Sequence, residues 1–366
     1  MTKFQISKRQ ALIVFIICTI SSKLQLLPCL LAGEAKNDLW LILLFGGLID
    51  LIFLLLTISI NKLCPGETIH DIIRKSLGKS VSFIIGVALF LYLILTATLP
   101  YEAIRDVFAS NLFDSLAWQI FSIFLLICVG YLAYSGIKTI GRTAELYFPI
   151  IAVSVMFLII LGTIYTDFSQ ILPIVTNKLD KLFDVYSNHT LWFGDYMIFF
   201  VLIGRIKPDN KPLKYKDSLV YVLCILIYTV AYVAFYGLYT ITAGSQSSLL
   251  SSISAFSLLS LDIGRVDWFL VLLSQIASII SCATYISCAS DCIYQLTHKK
   301  NYTICVIFAS LLLYFADLLF FKNIDQGILF YTKYTGLACL IIQISIPIIC
   351  LVCAFVIKRK NRRKLC

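Results

Sequence analysis

Residues 8 to 32 are long and apolar enough to cross a bilayer, yet in their middle stands Cys18-Thr-Ile-Ser-Ser-Lys-Leu-Gln-Leu-Leu-Pro28. In lipid no water satisfies backbone groups that a helix releases. Chain at that depth therefore leaves helical geometry only where protein or a water-filled cavity supplies the partners. The stretch predicts a hinge at Ile20 to Lys23, joining two half-helices that face a cavity. The competing reading is a continuous helix with a proline near its outer end and two hydroxyls bonded back to the preceding turn.

Of the 366 residues, 60% are apolar and 14% are charged, and the mean hydropathy is +0.92. Too few polar side chains remain to coat a soluble body of this size, so the chain reads as a polytopic membrane protein whose surroundings are the lipid bilayer. Lys3, Lys8 and Arg9 precede the first apolar run, but that run has no small-residue cleavage site and reads as a retained span. The net charge of +10 is spread over loops in a way that argues against nucleic acid as a partner. Thirteen cysteines, mostly inside apolar segments, read as free thiols packing as small hydrophobes. Cys350 and Cys353 have CxxC spacing with no second pair or histidine nearby, so neither a metal nor any other cofactor is expected. Three histidines (His70, His189, His298), no HExxH, no nucleophile elbow and no phosphate loop make an enzyme the weakest class.

Windows of about 20 apolar residues, the length that crosses a ~30 Å core, pick out ten spans: 8–32, 38–60, 80–109, 116–136, 143–164, 180–205, 217–243, 265–296, 302–321 and 328–357. The expected fold class is an all-α polytopic membrane protein, one transmembrane domain over 1–357 followed by a basic cytoplasmic tail, 358–366. With this layout 22 of the 30 basic residues fall on one side, which places both termini in the cytoplasm. Pro65 to Leu77 alternates charge with apolar residues at helical spacing and predicts a short amphipathic helix on the inner face. Ser247 to Leu261 lies outside, as a capping helix or a loop.

Span six gathers Ser187-Asn-His-Thr-Leu-Trp-Phe-Gly-Asp-Tyr196 in mid-segment. Broken spans one and six, five apart, are what a five-plus-five inverted repeat predicts, with repeat one over about 8–164 and repeat two over about 180–357. Exposed N–H groups at a half-helix start favour a carboxylate, and free carbonyls at a half-helix end favour an ammonium. A zwitterionic amino acid matches both.

Gly141-Arg-Thr-Ala-Glu-Leu-Tyr-Phe-Pro149, at the expected start of span five, resembles the Arg-x-Ala-Glu-x-x-Phe-Pro signature of the B subunit of spore germinant receptors. Ile20 to Ala35, with Leu-Leu-Pro28 and then Ala-Gly-Glu-Ala, resembles that family's broken first helix and its exit. The resemblance covers the whole chain and marks Pro28, Arg142, Glu145 and Pro149 as its structural signature. It implies the endospore germination permease branch of the amino acid–polyamine–organocation superfamily, with a LeuT-like fold. It further implies a subunit in a spore inner membrane, or a bacterial cell membrane, that senses a small-molecule germinant beside an A subunit and a lipoprotein C subunit. Cys18 to Ser22 departs from the glycine and small residue that many relatives carry at the first break.

Thr19, Ser21 and Ser22 are candidate ligand contacts, or else bond only within their helix. Lys23 binds a carboxylate or snorkels outward, and snorkelling is the expected use. At the second break Thr190, Phe193, Gly194 and Asp195 are candidates, Gly194 for close backbone approach and Asp195 as an ammonium or proton acceptor. Span eight stacks Ser274, Ser278, Ser281, Thr284, Cys288 and Asp291 on one face. Thr284 and Ser287 are candidates for ligand or cation, Ser281 and Asp291 for ion or proton coupling, and helix–helix hydrogen bonding is the alternative for the whole stripe. Tyr101 is a candidate for the outer vestibule; Glu102 with Arg105, or Asp106 as the partner from the same side, and Arg142 with Glu145 read as structural pairs. Two functions are expected to compete: a germinant receptor subunit, and a proton- or cation-coupled amino acid transporter sharing the same pocket.

Overall fold

A computed structural model describes residues 5–111, 117–172, 175–207, 213–259, 266–297, 301–320 and 330–365. Lys3, Lys211, Arg265, Lys299, Lys300 and Lys322 of the charge count, and the outer start of the tenth expected span, lie outside the described residues. Among the described residues regular structure is helical, apart from one parallel bridge between Ile6 and Ile206.

The helices run α1 (Lys8–Lys23), α2 (Leu27–Ala35), α3 (Leu39–Leu63), α4 (Ile69–Leu77), α5 (Lys79–Asn111), α6 (Ala117–Tyr134), α7 (Ile137–Tyr165), α8 (Leu179–Asn188) and α9 (Tyr196–Leu202). They continue as α10 (Leu219–Tyr239), α11 (Leu249–Leu259), α12 (Val266–Leu296), α13 (Tyr302–Phe320) and α14 (Gly336–Leu365). Among the described residues seven helical stretches, one of them Leu27–Leu63 running through α2 and α3, are long and apolar enough to cross a membrane, and the chain is an integral membrane protein. The other three expected spans fall on shorter helices: α1 with its continuation α2, the single helix α6, and α8 with α9. Large apolar side chains such as Ile52, Phe124, Val153 and Leu319 stand exposed on the outside, where lipid takes the place of water as their solvent. The central element is α12, packed on α1, α5, α7 and α13, with 78% of its apolar window buried.

The first break falls at Leu24 to Leu26, one turn beyond the hinge expected at Ile20 to Lys23. Thr19 and Ser22 donate to the carbonyls of Ile16 and Thr19, which keeps the backbone of that turn paired and helical. Pro28 sets the break: it has no N–H for the Leu24 carbonyl four residues back, and stands in the first turn of the new helix α2, where a proline is tolerated. The second break lies where expected. After α8 the chain makes a 3₁₀ turn at Thr190–Trp192, is extended at Phe193, and turns at Gly194 with φ 83° before α9 begins.

Thr68 caps α4 by accepting from the Asp71 N–H at 3.2 Å, and Ile69, Ile72 and Ile73 are its buried face. The segment after span seven resolves as a helix, α11, and not as a plain loop. Span five starts two turns earlier than its expected limit of 143, which places Arg142 and Glu145 inside α7. There Glu145 pairs with Arg9 at 3.0 Å and accepts from Gln10 at 3.1 Å, while Arg142 is exposed. The expected Arg142–Glu145 pair is thus replaced by a tie between α7 and α1.

Candidate ligand-binding site

The two breaks face each other, and side chains of the first reach the backbone and the Asp195 carboxylate of the second. Ser22 Oγ donates to Asp195 Oδ1 at 2.9 Å, and Lys23 Nζ lies 2.5 Å from the Trp192 carbonyl and 3.3 Å from Asp195 Oδ2. Lys23 is 1% exposed, so it does not snorkel: the break turns its ammonium inward, onto a carbonyl freed by the second break. Nζ also stands 4.1 Å above the centre of the Phe193 ring and 3.9 Å from Asp50 Oδ2. The cation is held by a carbonyl, two carboxylates and an aromatic face.

Asp50, from the middle of α3, completes the group. Both of its oxygens accept from the Gly194 N–H, at 2.9 and 3.1 Å, beside the start of α9 where a negative charge is favoured. Tyr221 of α10 bridges the acids, donating within 3.0 Å of Asp50 Oδ2 and 3.3 Å of Asp195 Oδ2. Gly46, one turn before Asp50, is where Phe193 packs, since a Cβ there would lie 2.2 Å from the ring. With both acids ionised the group holds two negative charges and one positive charge, all buried.

Other carbonyls of the two breaks find partners on three further helices. Tyr232 of α10 donates to the Lys23 carbonyl at 2.8 Å, and the Leu249 N–H at the start of α11 donates to the Gln25 carbonyl at 3.1 Å. Gln343 of α14 donates from Nε2 to the carbonyls of Thr190 and Phe193 at 2.8 and 3.0 Å, and to Tyr92 of α5 at 3.1 Å. Tyr196 returns a bond to the Gln343 carbonyl at 2.5 Å. The breaks are thereby welded to one polar layer spanning α1, α3, α5, α10 and α14.

Of the residues singled out in the sequence, Ser22, Phe193, Gly194 and Asp195 meet in this group. Thr19 lies one turn away, bonded to Tyr228 at 2.8 Å, and Thr190 donates to the Gly336 carbonyl at 2.5 Å. Ser21 bonds Ser278 at 3.1 Å, and Ser281 reaches the Ile17 carbonyl at 3.3 Å, so the polar stripe of α12 does face α1. Thr284 bonds back to the Ile280 carbonyl at 2.7 Å. Three candidates are placed elsewhere. Tyr101 gives its hydroxyl to the Ser122 carbonyl of α6 at 2.5 Å, Ser287 bonds Tyr302 of α13 at 3.2 Å, and Asp291 pairs with Arg205 at 2.8 Å. Glu102 pairs with Arg105 as expected, and Arg105 reaches Asp317 at 3.5 Å.

Sequence reasoning missed Asp50, Tyr221, Tyr232 and Gln343. Asp50 could have been found, being the one acid in the apolar run Leu39–Leu63, where an ionisable residue in a span already marks a site. The two tyrosines carry no such signal among 20 tyrosines.

A model of the spore germination protein family matches residues 5–325. Spore germination protein A2 of Bacillus subtilis (strain 168) is 21% identical over 343 residues, which span 92% of this chain and 91% of that protein. Spore germination protein B2 of the same organism is 22% identical over 361 residues, 97% of each. Among solved structures, the crystal structure of MhsT in complex with L-phenylalanine matches with a TM-score of 0.67 at 12% identity, covering 96% of this chain and 99% of that one. The fold is LeuT-like, with its first and sixth spans broken.

Proposed function

The chain belongs to the spore germination protein family, and on that premise we propose that it is the B subunit of a nutrient germinant receptor, binding a small polar germinant where the two breaks meet. Family and fold make it a permease or receptor and not an enzyme. The observation that carries the ligand class is the pairing of opposite charges with opposite backbone groups. An ammonium, that of Lys23, sits on the Trp192 carbonyl, and a carboxylate, that of Asp50, sits on the Gly194 N–H. A free amino acid presents the same two groups, and the excess negative charge of Asp50 and Asp195 favours a ligand whose ammonium reaches them. In this reading Thr19, Ser21, Thr190 and Thr284 are further polar contacts of the ligand.

In this reading both termini are cytoplasmic, the membrane is that of the spore interior, and an A subunit and a lipoprotein C subunit complete the receptor. Binding one conformation better by a few kcal/mol is all that a sensor requires. Thermal-shift titration against a panel of L-amino acids, compared with Gly194→Trp, tests the site. Stabilisation by one or a few amino acids that vanishes in the variant is the expected result, and an unchanged response removes the site. Deleting the gene in its host then separates receptor from proton- or cation-coupled transporter, the second reading that the fold supports. Loss of germination with normal radiolabelled uptake is expected, and lost uptake with normal germination overturns the receptor.

A further inference from the structure

Outside the broken helices, a cleft of about 470 Å³ opens where the amphipathic helix α4 meets the start of α5. One wall holds His70 and Arg74 of α4 with Lys79 and Ser80 of α5, and the other holds Phe83, Ile84 and Leu296. We propose that this cleft binds the headgroup phosphate of an anionic phospholipid, with an acyl chain lying along α5.

The charges are arranged for it. The acids nearby are engaged elsewhere: Glu67 pairs with Lys75 at 2.5 Å, and Asp71 accepts from the Thr68 hydroxyl at 2.6 Å. Among the described residues Arg74 and Lys79 have no carboxylate within ion-pair distance, and both are exposed. Two uncompensated cations therefore line the cleft, and no lining residue is an acid that could hold a choline or ethanolamine group. His70 Nδ1 faces Ser82 Oγ at 2.8 Å on the same wall. Lys79 is the first residue of α5, so the partial positive charge of a 33-residue helix adds to theirs.

The apolar wall selects a lipid over a free phosphate. Phe83 and Ile84 are 56% and 66% exposed on a helix that goes on to cross the membrane, which is where an acyl chain runs beside its own headgroup. A soluble phosphate would leave that surface unused. The geometry is that of a basic pocket at the membrane interface, where each cation adds to the attraction for anionic lipid.

Native mass spectrometry of the purified full chain tests this with phosphatidylglycerol, phosphatidylcholine and glycerol 3-phosphate as probes. The wild type is expected to retain phosphatidylglycerol over phosphatidylcholine. The exposed double variant Arg74→Gln with Lys79→Gln should lose about tenfold in apparent affinity, while Lys178→Gln, on a loop at the far end, should lose nothing. Thermal melting of both variants in detergent reports that they are folded. Equal phosphatidylglycerol retention by the double variant, or equal retention of the two lipids by the wild type, overturns the site. Competition by glycerol 3-phosphate at low millimolar concentration overturns the lipid in favour of a soluble phosphate.

Discussion

Lys23 holds two buried acids in place, and its removal should be felt twice. Lys23→Ala leaves Asp50 and Asp195 facing each other without a cation, which costs about 3–5 kcal/mol. Asp195→Asn keeps an oxygen for Ser22 and removes the excess negative charge, so it should cost under about 1.5 kcal/mol. Melting temperatures of the two variants in detergent give that order. A primary alkylamine such as propylamine, added at millimolar concentration, should restore much of the lost stability of Lys23→Ala and leave the wild type unmoved, whereas 1-propanol should restore nothing. Equal rescue by amine and alcohol would mean that only volume was lost, and no cation site. At this scale the sequence disclosed half of the group. Asp195 and Gly194 announced themselves by standing in an apolar run beside a break, and so did Lys23. The inward turn of Lys23 was not legible, because a side chain with four methylenes reaches the interface or the interior equally well, and only the break at Leu24 to Leu26 decides which.

Among the elements, the second break depends on Gly194 more than on any other backbone position. Its φ of 83° lies in the left-handed region, and an added Cβ would come within 2.5 Å of Gln343 Nε2 and 2.8 Å of the Tyr92 hydroxyl. Gly194→Ala should therefore cost about 1–2 kcal/mol from the backbone alone, plus whatever Gln343 loses on leaving the Thr190 and Phe193 carbonyls. Gln343→Ala removes the nearer of the two clashes and leaves that with Tyr92, so the double variant should be less destabilised than the sum of the two singles. A double-mutant cycle by thermal melting checks this, and strict additivity would mean that the amide does not brace the break. Both breaks were visible as polar interruptions, since lipid punishes unpaired backbone anywhere else. The exact turn was not visible in α1, because Thr19 and Ser22 have two honest uses, opening a helix or pairing its carbonyls, and here they pair them. Glu145 shows the same limit: its spacing from Arg142 was right for a pair, but Arg9 on another element was the better placed partner.

Taken whole, the molecule is tied together at the end that holds its N-terminus. The Ile6 N–H donates to the Arg205 carbonyl at 2.9 Å and the Lys207 N–H to the Ile6 carbonyl at 3.0 Å, tying the first residues to the exit of the sixth span. Three ion pairs surround this strap: Lys8 with Asp217 at 2.7 Å, Arg9 with Glu145 at 3.0 Å, and Arg205 with Asp291 at 2.8 Å. Together they join α1 and the segment after α9 to α7, the turn before α10, and α12, and a route that runs between these elements to the Lys23 group must part them. Hydropathy gave the spans and charge gave a side, but a strap made of backbone bonds to Ile6 leaves no trace in either. Cys288 lies one turn before Asp291 on α12 and is 2% exposed, which makes it a reporter for such a route. A variant lacking residues 2–6 keeps the Ser7 capping box of α1 but loses the strap. Its Cys288 should react with a membrane-impermeant maleimide several-fold faster than in the full chain, when the reagent is applied on the side of the N-terminus. Applied to the opposite side, the reagent should label both proteins alike. Peptide mapping by mass spectrometry reads the site, and unchanged labelling from the N-terminal side would show that the ion pairs alone hold this end shut.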